Sequence, residues 1–500
     1  MEQQYPVLIV LIPMFTALAI TLIGWFRPVL CQPLAVAGLF GSFCSAVATL
    51  VQVKNTANGV ISYHLGNWAP PYGIEHRVDG LNGLVLVMVS FVALLVAIYA
   101  KKPVEKELGG KLSNFYTLFV LLVTGLLGMT ISGDAFNLYV LLEIAALTSY
   151  ALLAMGRGKA YMATFNYVIL GTIGACFYLL GVGFLLIKTG SLNIADMGTI
   201  IPGLGGSNTI LIAFGFLMVG VWIKMALFPF HGWLPNAYTY APTATSCLVA
   251  PLMTKVSVYV MLRIMFWVYS AEWIFQVVQW QSVVMAVAVI AILMGSFFAL
   301  AQRDIKKMLT YLIVAEIGYM VGGAWTGTSL GLTGTIYHII ADGLMTVCLF
   351  MVIGSIVYKK GSAQFESFKD AFQTMPWTMS ALVVAGLSMI GVPPTCGFFS
   401  KWYLLGGAYI SSNYAYMVAL LISSLINAVL FIRIVETAFF GATSEEIPDP
   451  HDHTVRQVNE SPLSMLIPIW IAAVSLVLTG LYTRDIVTRW IQPILPGGLI

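Results

Sequence analysis

The chain has 500 residues, of which 59% are hydrophobic and only 9% are charged. Soluble globular proteins carry about 25% charged residues, so this composition excludes a water-soluble fold and indicates a membrane protein. The formal net charge of +3 is too small to indicate nucleic acid or a strongly acidic partner.

Long apolar segments recur along the whole chain. They are about 20 residues long, roughly twice the length of a strand in an outer-membrane barrel, and they fit helices that cross a bilayer. We therefore predict an all-α polytopic protein with about 14 transmembrane helices. In chain order, the predicted segments are 5–26, 33–53, 79–100, 114–131, 134–155, 162–187, 208–228, 243–267, 281–302, 308–326, 329–358, 375–391 (extended past a break to 409), 413–436 and 463–482.

The basic residues of the predicted loops fall mainly on one side of the membrane. Such residues gather on the cytoplasmic side. The bias predicts a multi-pass protein of the cell inner (plasma) membrane with both termini on the outer, periplasmic side.

Three lysines lie inside predicted helices or at their breaks rather than in loops, namely Lys224, Lys255 and Lys401. A charge in the middle of a bilayer costs at least about 2.5 to 3.5 kcal/mol, and such residues commonly mark a path for ions or protons. Snorkelling of the ammonium to the headgroups is the alternative, and it applies most readily to Lys401, close after two prolines. Groups that could pair with these lysines also lie in predicted helices, namely Glu143, Glu316, His338 and Asp342.

Two predicted helices are interrupted by proline, the seventh at Pro229 and Pro235 and the twelfth at Pro393 and Pro394. Because proline cannot donate to the helix ladder, each interruption frees backbone carbonyls at membrane depth. Each break lies in the fourth helix of a five-helix run, helices 4–8 and helices 9–13. Because each run crosses the membrane an odd number of times, the second run is inverted relative to the first. The spacing therefore predicts two inverted repeats of the kind found in transporters. The alternative is two unrelated proline kinks.

This spacing divides the chain into four parts. Residues 1–113 hold helices 1–3, residues 114–267 the first five-helix repeat, and residues 281–440 the second, inverted repeat. Residues 441–500 hold a cytoplasmic loop and helix 14.

The residues around the first break form a specific motif. From Lys224 to Tyr238 the segment reads Lys-Met-Ala-Leu-Phe-Pro-Phe-His-Gly-Trp-Leu-Pro-Asn-Ala-Tyr. Further matching segments are Val78-Asp79-Gly80-Leu81, Gly133-Asp134-Ala135-Phe136-Asn137-Leu138-Tyr139 before Glu143, Ala241-Pro242-Thr243 before Lys255, Asp304-Ile305-Lys306-Lys307, and Pro393-Pro394 before Lys401. Together they resemble the antiporter-like subunits shared by respiratory complex I, membrane-bound hydrogenases and Mrp-type cation/proton antiporters, over essentially the whole chain. Within that family the chain is most similar to the MrpD-like members of Mrp-type sodium/proton antiporters, on the lead-in to Glu143 and on lysine rather than glutamate at 401.

The resemblance implies roles for the matching residues in proton translocation. It implies an ion pair between Glu143 and Lys224, a central relay of Lys255 and His338, and a terminal group at Lys401. Secondary candidates are Glu316, Asp342, His231, Asp79 and Asp134. Many relatives have histidine at the position of Ala341, lysine at that of Thr346, and Gln or His at that of Glu316, so Asp342 and Glu316 could take over part of the relay.

The expected function is that of a proton-translocating subunit of an Mrp-type sodium/proton antiporter, a transporter subunit rather than an enzyme. Two alternatives stay open: a proton-pumping subunit of a complex I-like or hydrogenase complex, and the membrane part of an inorganic-carbon uptake complex. The expected partners are other membrane subunits, including small subunits and a larger antiporter-like subunit, with protons and sodium as the transported ions.

No segment is typical of a nucleotide loop, haem ligands or an iron–sulfur ligand set, so no cofactor is expected. The segment His451-Asp452-His453 follows several acidic residues and could bind a cation. A solvated acidic loop is the simpler interpretation, and we expect no metal site there.

Overall fold

The computed structural model describes residues 4–440 and 458–500, and most of these residues are helical. The helices up to residue 263 are α1 (Tyr5–Phe26), α2 (Cys31–Asn55), α3 (Gly80–Tyr99), α4 (Lys101–Leu108), α5 (Leu112–Ile131), α6 (Ala135–Ala154), α7 (Lys159–Thr189), α8 (Ile194–Ile200), α9 (Asn208–Met225), α10 (Leu234–Tyr240) and α11 (Thr243–Arg263). The later helices are α12 (Ala271–Trp273), α13 (Gln281–Leu300), α14 (Ile305–Trp325), α15 (Ser329–Lys360), α16 (Ala371–Thr374), α17 (Pro376–Ile390), α18 (Cys396–Ile410), α19 (Tyr414–Phe440), α20 (Leu463–Leu481) and α21 (Thr483–Ile486). The segment His451-Asp452-His453 lies outside the described residues.

The predicted membrane crossings are confirmed. In the described part of the chain, 13 helical segments are long and apolar enough to cross a bilayer. The remaining crossing is the pair α17 and α18, each only 15 residues long, which follow one another across a break. The chain is therefore a polytopic helical membrane protein with the predicted number of membrane crossings.

A short antiparallel hairpin was not predicted. Strand β1 (Ile61–His64) pairs with β2 (Glu75–Val78), with Ile61 opposite Val78. The side chain of Asn193, in the loop before α8, donates to the Glu75 carboxylate at 2.6 Å. Two four-residue strands in a polar loop leave almost no hydrophobic pattern, and their pairing depends on contacts from elsewhere in the fold.

Both predicted helix breaks are present. Helix α9 ends before Ala226, whose φ of +61° is left-handed, and the helical path resumes in α10 beyond Pro229. In the second break Pro393 and Pro394 lie between α17 and α18. Pro235 does not break a helix, because it lies in the first turn of α10, where the missing N–H has no intrahelical partner to lose.

The two five-helix runs meet along α11 and α15. Helix α11, the last helix of the first run, packs against α15 of the second. Every residue of α11 is buried. Corresponding pairs also pack in both runs, α5 with α6 and α13 with α14. The most buried helices of the protein therefore lie where the two runs join. The exact boundaries of the four predicted parts stay a prediction.

Polar contacts lie at both ends of the helix bundle. The two ends correspond to the two sets of predicted loops that the positive charges assign to opposite sides of the membrane. At one end Lys106 donates to the Tyr358 carbonyl at 2.6 Å, and Lys306 to the Ala241 carbonyl at 2.8 Å. At the other end lie the Asn193–Glu75 contact and the Arg263–Asp79 ion pair. Which end faces the cytoplasm stays a prediction from the positive charges.

Candidate functional site

The predicted pair of Glu143 and Lys224 is formed across α6 and α9. The Lys224 Nζ atom lies 3.4 Å from a Glu143 carboxylate oxygen. Lys224 belongs to the last turn of α9, where free carbonyls at a helix C-terminus favour a cation. The Lys224 side chain is 5% exposed and that of Glu143 26%, so the acid lies at the protein surface at membrane depth. The long distance and partial exposure make this a contact that can open readily.

The partner of Lys255 is Asp342, not His338. The Lys255 Nζ atom lies 2.9 Å from the Asp342 carboxylate, and both side chains are completely buried. Lys255 also donates to the Ala250 carbonyl at 3.3 Å, and the Thr346 hydroxyl donates to the other Asp342 oxygen at 2.7 Å. An ion pair therefore joins α11 to α15, and the implied relay role of Lys255 and His338 stays a prediction.

His338 belongs to a second buried cluster. Its Nε2 lies 2.6 Å from a Glu316 carboxylate oxygen, and its Nδ1 lies 2.9 Å from the hydroxyl of Ser400. His338 and Asp342 lie one turn apart on α15, yet they contact partners on different helices. The cluster thus links α14, α15 and α18.

Lys401 lies on α18 just beyond the second break. Its Nζ donates to the Met389 carbonyl at 2.7 Å and to the Ser424 hydroxyl at 3.1 Å. A longer contact of 3.4 Å reaches the Ile390 carbonyl. The ring of Tyr319 lies beneath the ammonium, with its centroid 5.3 Å away. The lysine is therefore held in place by neutral groups, and it is too well packed to snorkel to the membrane surface.

These contacts involve three groups of ionisable side chains. They are the Glu143–Lys224 pair, the Lys255–Asp342 pair and the Glu316–His338 cluster, and Lys401 lies within electrostatic reach of Glu316 and Asp342. We call these seven residues the row. Buried hydroxyls also lie along α10 and α11, where Tyr238, Thr245 and Thr254 have no hydrogen-bond partner among the described residues. Buried groups of this kind are commonly satisfied by ordered water. Alternating acids and bases with wettable hydroxyls are groups that can pass protons.

Two secondary candidates cap helices. The Asp134 carboxylate accepts from the backbone N–H of Asn137 at 2.6 Å at the start of α6, and burial raises the pKa of this carboxyl. The Asp79 carboxylate caps α3 and also binds Arg263 through two hydrogen bonds of 2.6 and 2.8 Å. Burial raises the pKa of Asp79, but the Arg263 charge and the hydrogen bonds from Arg263, Asn82 and Leu81 together hold it below its ordinary value.

His231 lies in the first helix break. Its ring stacks against Phe228 at 5.0 Å between centroids and faces Phe298 at 6.4 Å. Its Nδ1 has no partner among the residues that the structure describes. Its role in proton translocation stays a prediction.

Several residues of the site were not identified from the sequence. Arg263 lies near the end of the predicted helix 243–267 and was not named as a candidate, yet it is buried in α11 beside Asp79. Its position at the end of a predicted helix is the only available signal. The hydroxyls of Thr346, Ser400 and Ser424 gave no signal, because an isolated Ser or Thr in an apolar helix most often bonds its own backbone.

Residues 4–440 and 458–500 contain no cluster of three or more His, Cys, Asp or Glu side chains that could hold a metal ion.

Two interrupted helices in matching positions and a row of buried ionisable pairs define an antiporter-like membrane subunit. A family model described as "NADH:quinone oxidoreductase/Mrp antiporter, TM" matches residues 132–427, and the chain belongs to this family. The resemblance inferred from the motifs is thereby confirmed.

Relatives from both branches of the family match nearly the whole chain. It is 39% identical to NADH-quinone oxidoreductase subunit N of Desulforudis audaxviator, over all of both chains. It is 27% identical to an Na(+)/H(+) antiporter subunit of Bacillus subtilis, over 98% of this chain and 95% of the relative. Among solved structures, a chain of the archaeal membrane-bound sulfane sulfur reductase is similar at a TM-score of 0.87 and 25% identity, over 97% of this chain and 96% of that one.

Proposed function

We propose that this chain is the proton-translocating subunit of a multisubunit monovalent cation (Na⁺)/H⁺ antiporter of the Mrp type. Its proposed partners are small membrane subunits and a larger antiporter-like subunit. The row from Glu143 to Lys401 is the proposed proton path. Its proposed location is the plasma membrane, with both termini on the outer side.

The observation that carries this proposal is the buried Lys255–Asp342 pair, which joins the two five-helix runs. A pair at this junction lets a change of charge in one run act on the other. Because the protein interior screens charge weakly, opening one pair changes the proton affinity of its neighbours. Protons can then advance without any large movement of the helices.

The proposed cycle starts at Glu143. A proton that reaches this carboxylate neutralises it, and the Lys224 ammonium, 3.4 Å away, loses its counter-charge. A buried ammonium without a partner releases its proton more readily, because desolvation disfavours the charged form. The proton then moves toward Lys255, whose own pair with Asp342 opens in turn.

Two observations favour the Mrp type. The antiporter subunit of Bacillus subtilis matches this chain over nearly its full length. Residue 401 is a lysine rather than a glutamate, which is the feature that the motif resemblance associates with the Mrp type.

The second candidate function is proton pumping in a complex I-like respiratory assembly. It is favoured by the 39% identity to a relative named as an NADH-quinone oxidoreductase subunit. The similarity to a chain of the sulfane sulfur reductase complex points the same way. In such an assembly the energy comes from electron transfer in another subunit.

Purification of the intact complex in mild detergent separates the two candidates. Mass spectrometry of the co-purifying chains should identify small membrane subunits and a second antiporter-like subunit. Iron–sulfur or other redox subunits in stoichiometric amounts would instead establish the second candidate.

A flux assay tests the role of the row. In everted membrane vesicles, a pH-sensitive dye reports sodium-dependent proton movement by the assembled complex. We expect Lys224→Ala to abolish this flux while the complex still assembles, and Lys102→Ala, at an exposed position of α4, to leave it unchanged. Normal flux in the Lys224→Ala variant would contradict the proposed path.

The orientation is tested separately by single-cysteine labelling. Cysteines introduced at Lys102, in α4, and at Lys54, in the last turn of α2, lie on sides of the membrane that the charge pattern assigns as opposite. We expect a membrane-impermeant reagent added to intact cells to label position 54 and not position 102. The reverse pattern would place both termini in the cytoplasm.

A further inference from the structure

Lys401 differs from the two other lysines of the row in what holds its charge. Lys224 and Lys255 each lie within 3.4 Å of a carboxylate. In the described part of the chain, no carboxylate lies within 4.0 Å of Lys401, and its hydrogen bonds go to two carbonyls and a hydroxyl. Neutral oxygen atoms of this kind are the ligands that hard cations such as Na⁺ prefer.

The carbonyls belong to the C-terminal end of α17. Met389 and Ile390 are its last two residues, and the chain then leaves the helix at Gly391. Free carbonyls at a helix end carry partial negative charge. Broken helices of other transporters use such ends to coordinate Na⁺ or protons at membrane depth. The ammonium of Lys401 therefore occupies a position suited to a cation.

Gly391 shapes this position. Its φ of +96° is left-handed, and a Cβ added there would lie 3.3 Å from Cδ of Lys401. The lysine stem thus passes directly over the glycine. Only glycine combines this backbone angle with the space that the stem needs.

Two further oxygen atoms at the site have no partner among residues 4–440 and 458–500. Asn427 is completely buried, and its amide donates to the same Met389 carbonyl at 3.2 Å, while its Oδ1 is unpaired. Glu316 is 1% exposed, and its Oε1 is also unpaired. Buried oxygen atoms without a partner are costly and indicate a further ligand. The aromatic face of Tyr319, 5.3 Å from the ammonium, also favours a cation.

We propose that the oxygen atoms around Lys401 form a binding site that Na⁺ and the Lys401 ammonium occupy alternately. We call this set the cradle; it consists of the Met389 and Ile390 carbonyls, the Ser424 hydroxyl and the side-chain oxygen of Asn427. The ammonium and Na⁺ compete for the same oxygen atoms, so only one of them occupies the cradle at a time. This inference deepens the proposed antiporter function and rests on it.

The charged and titratable groups around the cradle come from two helices. Glu316 and Tyr319 face it from α14, and His338 and Asp342 from α15. Tyr416 of α19 donates to the Tyr319 carbonyl, and α17 and α20 contain no ionisable side chain. The nearby carboxylates add negative charge without touching the ammonium, which favours one cation, Na⁺ or the proton on Lys401.

Binding of ²²Na⁺ to the purified, intact complex tests the proposal directly. Because the Lys401 ammonium and Na⁺ compete for the same oxygen atoms, Lys401→Ala should bind Na⁺ about tenfold or more tightly than wild type at the same pH. Equal affinities of wild type and Lys401→Ala for Na⁺ would overturn the proposal.

Side-chain variants of the cradle supply a second measurement. We expect Ser424→Ala and Asn427→Leu to weaken Na⁺ binding about tenfold or more, and Ser380→Ala, on the exposed face of α17, to leave it unchanged. Thermal stability in choline chloride shows whether each variant is folded. If the complex translocates protons but neither wild type nor Lys401→Ala binds Na⁺, the cradle is disproved and the proton path stands. If Lys224→Ala also retains full flux, the proposed path itself fails.

Discussion

The Lys255 ammonium lies 2.9 Å from the Asp342 carboxylate, and neither side chain has any solvent exposure. The two residues lie on α11 and α15, the helices through which the two five-helix runs contact each other. A hydroxyl from Thr346 fixes the second carboxylate oxygen. The pair is thus both the joint between the runs and a point where charge can pass from one to the other.

Removing one member of this pair should strongly destabilise the folded protein. Lys255→Ala leaves Asp342 as an unpaired buried charge, at a cost of about 3 to 5 kcal/mol. We expect a lower melting temperature of the purified complex and loss of proton flux in vesicles. The double variant Lys255→Met with Asp342→Leu should recover the melting temperature but not the flux, because an apolar pair of similar volume can replace the contact but not carry protons.

The exposed pair of Lys102 and Glu105 is the control for that experiment. Its atoms are 3.1 Å apart, and both side chains are 42% exposed. Removing Lys102 should change stability by less than about 1 kcal/mol. An equally small effect of Lys255→Ala on both stability and flux would contradict a central role for the buried pair.

We expect a change in the Glu143–Lys224 pair to lower proton flux strongly and protein stability only slightly. Because Glu143 is 26% exposed, Glu143→Gln is expected to lower the melting temperature less than Lys255→Ala does. Its proton flux should nevertheless fall by about tenfold or more, since a neutral amide cannot switch the charge opposite Lys224. A Glu143→Gln complex with wild-type flux would show that this acid is not part of the path.

We expect substitutions in the Asp79–Arg263 pair, at the end of the bundle, to lower the stability of the folded protein. Asp79→Ala removes two hydrogen bonds to Arg263 and the cap of α3. Asp79→Asn keeps a capping side chain, so it should be less damaging by about 1 kcal/mol. The melting temperatures of the two variants, measured side by side, check this order. Equal losses would show that the cap adds nothing to the ion pair.

His76 in strand β2 should make stability depend on pH. Burial lowers the pKa of His76 to about 4. The folded protein therefore holds this histidine neutral, while the unfolded chain protonates it below about pH 6.5. The stabilising effect is present above pH 6.5 and is lost as the pH falls to about 4, by about 3 kcal/mol in total.

Melting temperatures between pH 7 and pH 4 test that prediction. In His76→Gln, which cannot titrate, the part of the acid-induced decrease that comes from this histidine should disappear. Parallel curves for wild type and His76→Gln over the whole range would show that His76 does not set the acid limit of the fold.

The membrane crossings and the three interior lysines could be predicted because they depend on local composition. An apolar run of 20 residues has to be a helix in lipid, where every backbone group needs an internal partner. The prolines at 229 and 393–394 mark the breaks for the same reason, whereas Pro235 was misassigned because proline is tolerated in a first helical turn. The lysines stood out because no loop could contain them.

The partners of those lysines could not be predicted from local pattern. Lys255 and Asp342 are 87 positions apart, and His338 lies one turn from Asp342 on the same helix, so the sequence offers both as partners. Side-chain direction around α15 decides between them, and this direction is set by how α11, α14 and α18 pack against it. The hairpin of β1 and β2 was missed for a similar reason, since its strands are short and its contacts come from distant loops.

The amino-acid sequence by itself determined that the protein crosses the membrane as helices, that two of these are broken, and that a few charges are buried among them. Lipid imposes these features on each segment separately, because unpaired backbone groups and isolated charges are costly in the hydrocarbon core. Only the tertiary structure decided that Asp342 is the partner of Lys255, that Glu316 holds His338, and that Lys401 rests on carbonyls. Those contacts depend on distances of a few ångströms between helices far apart in the chain.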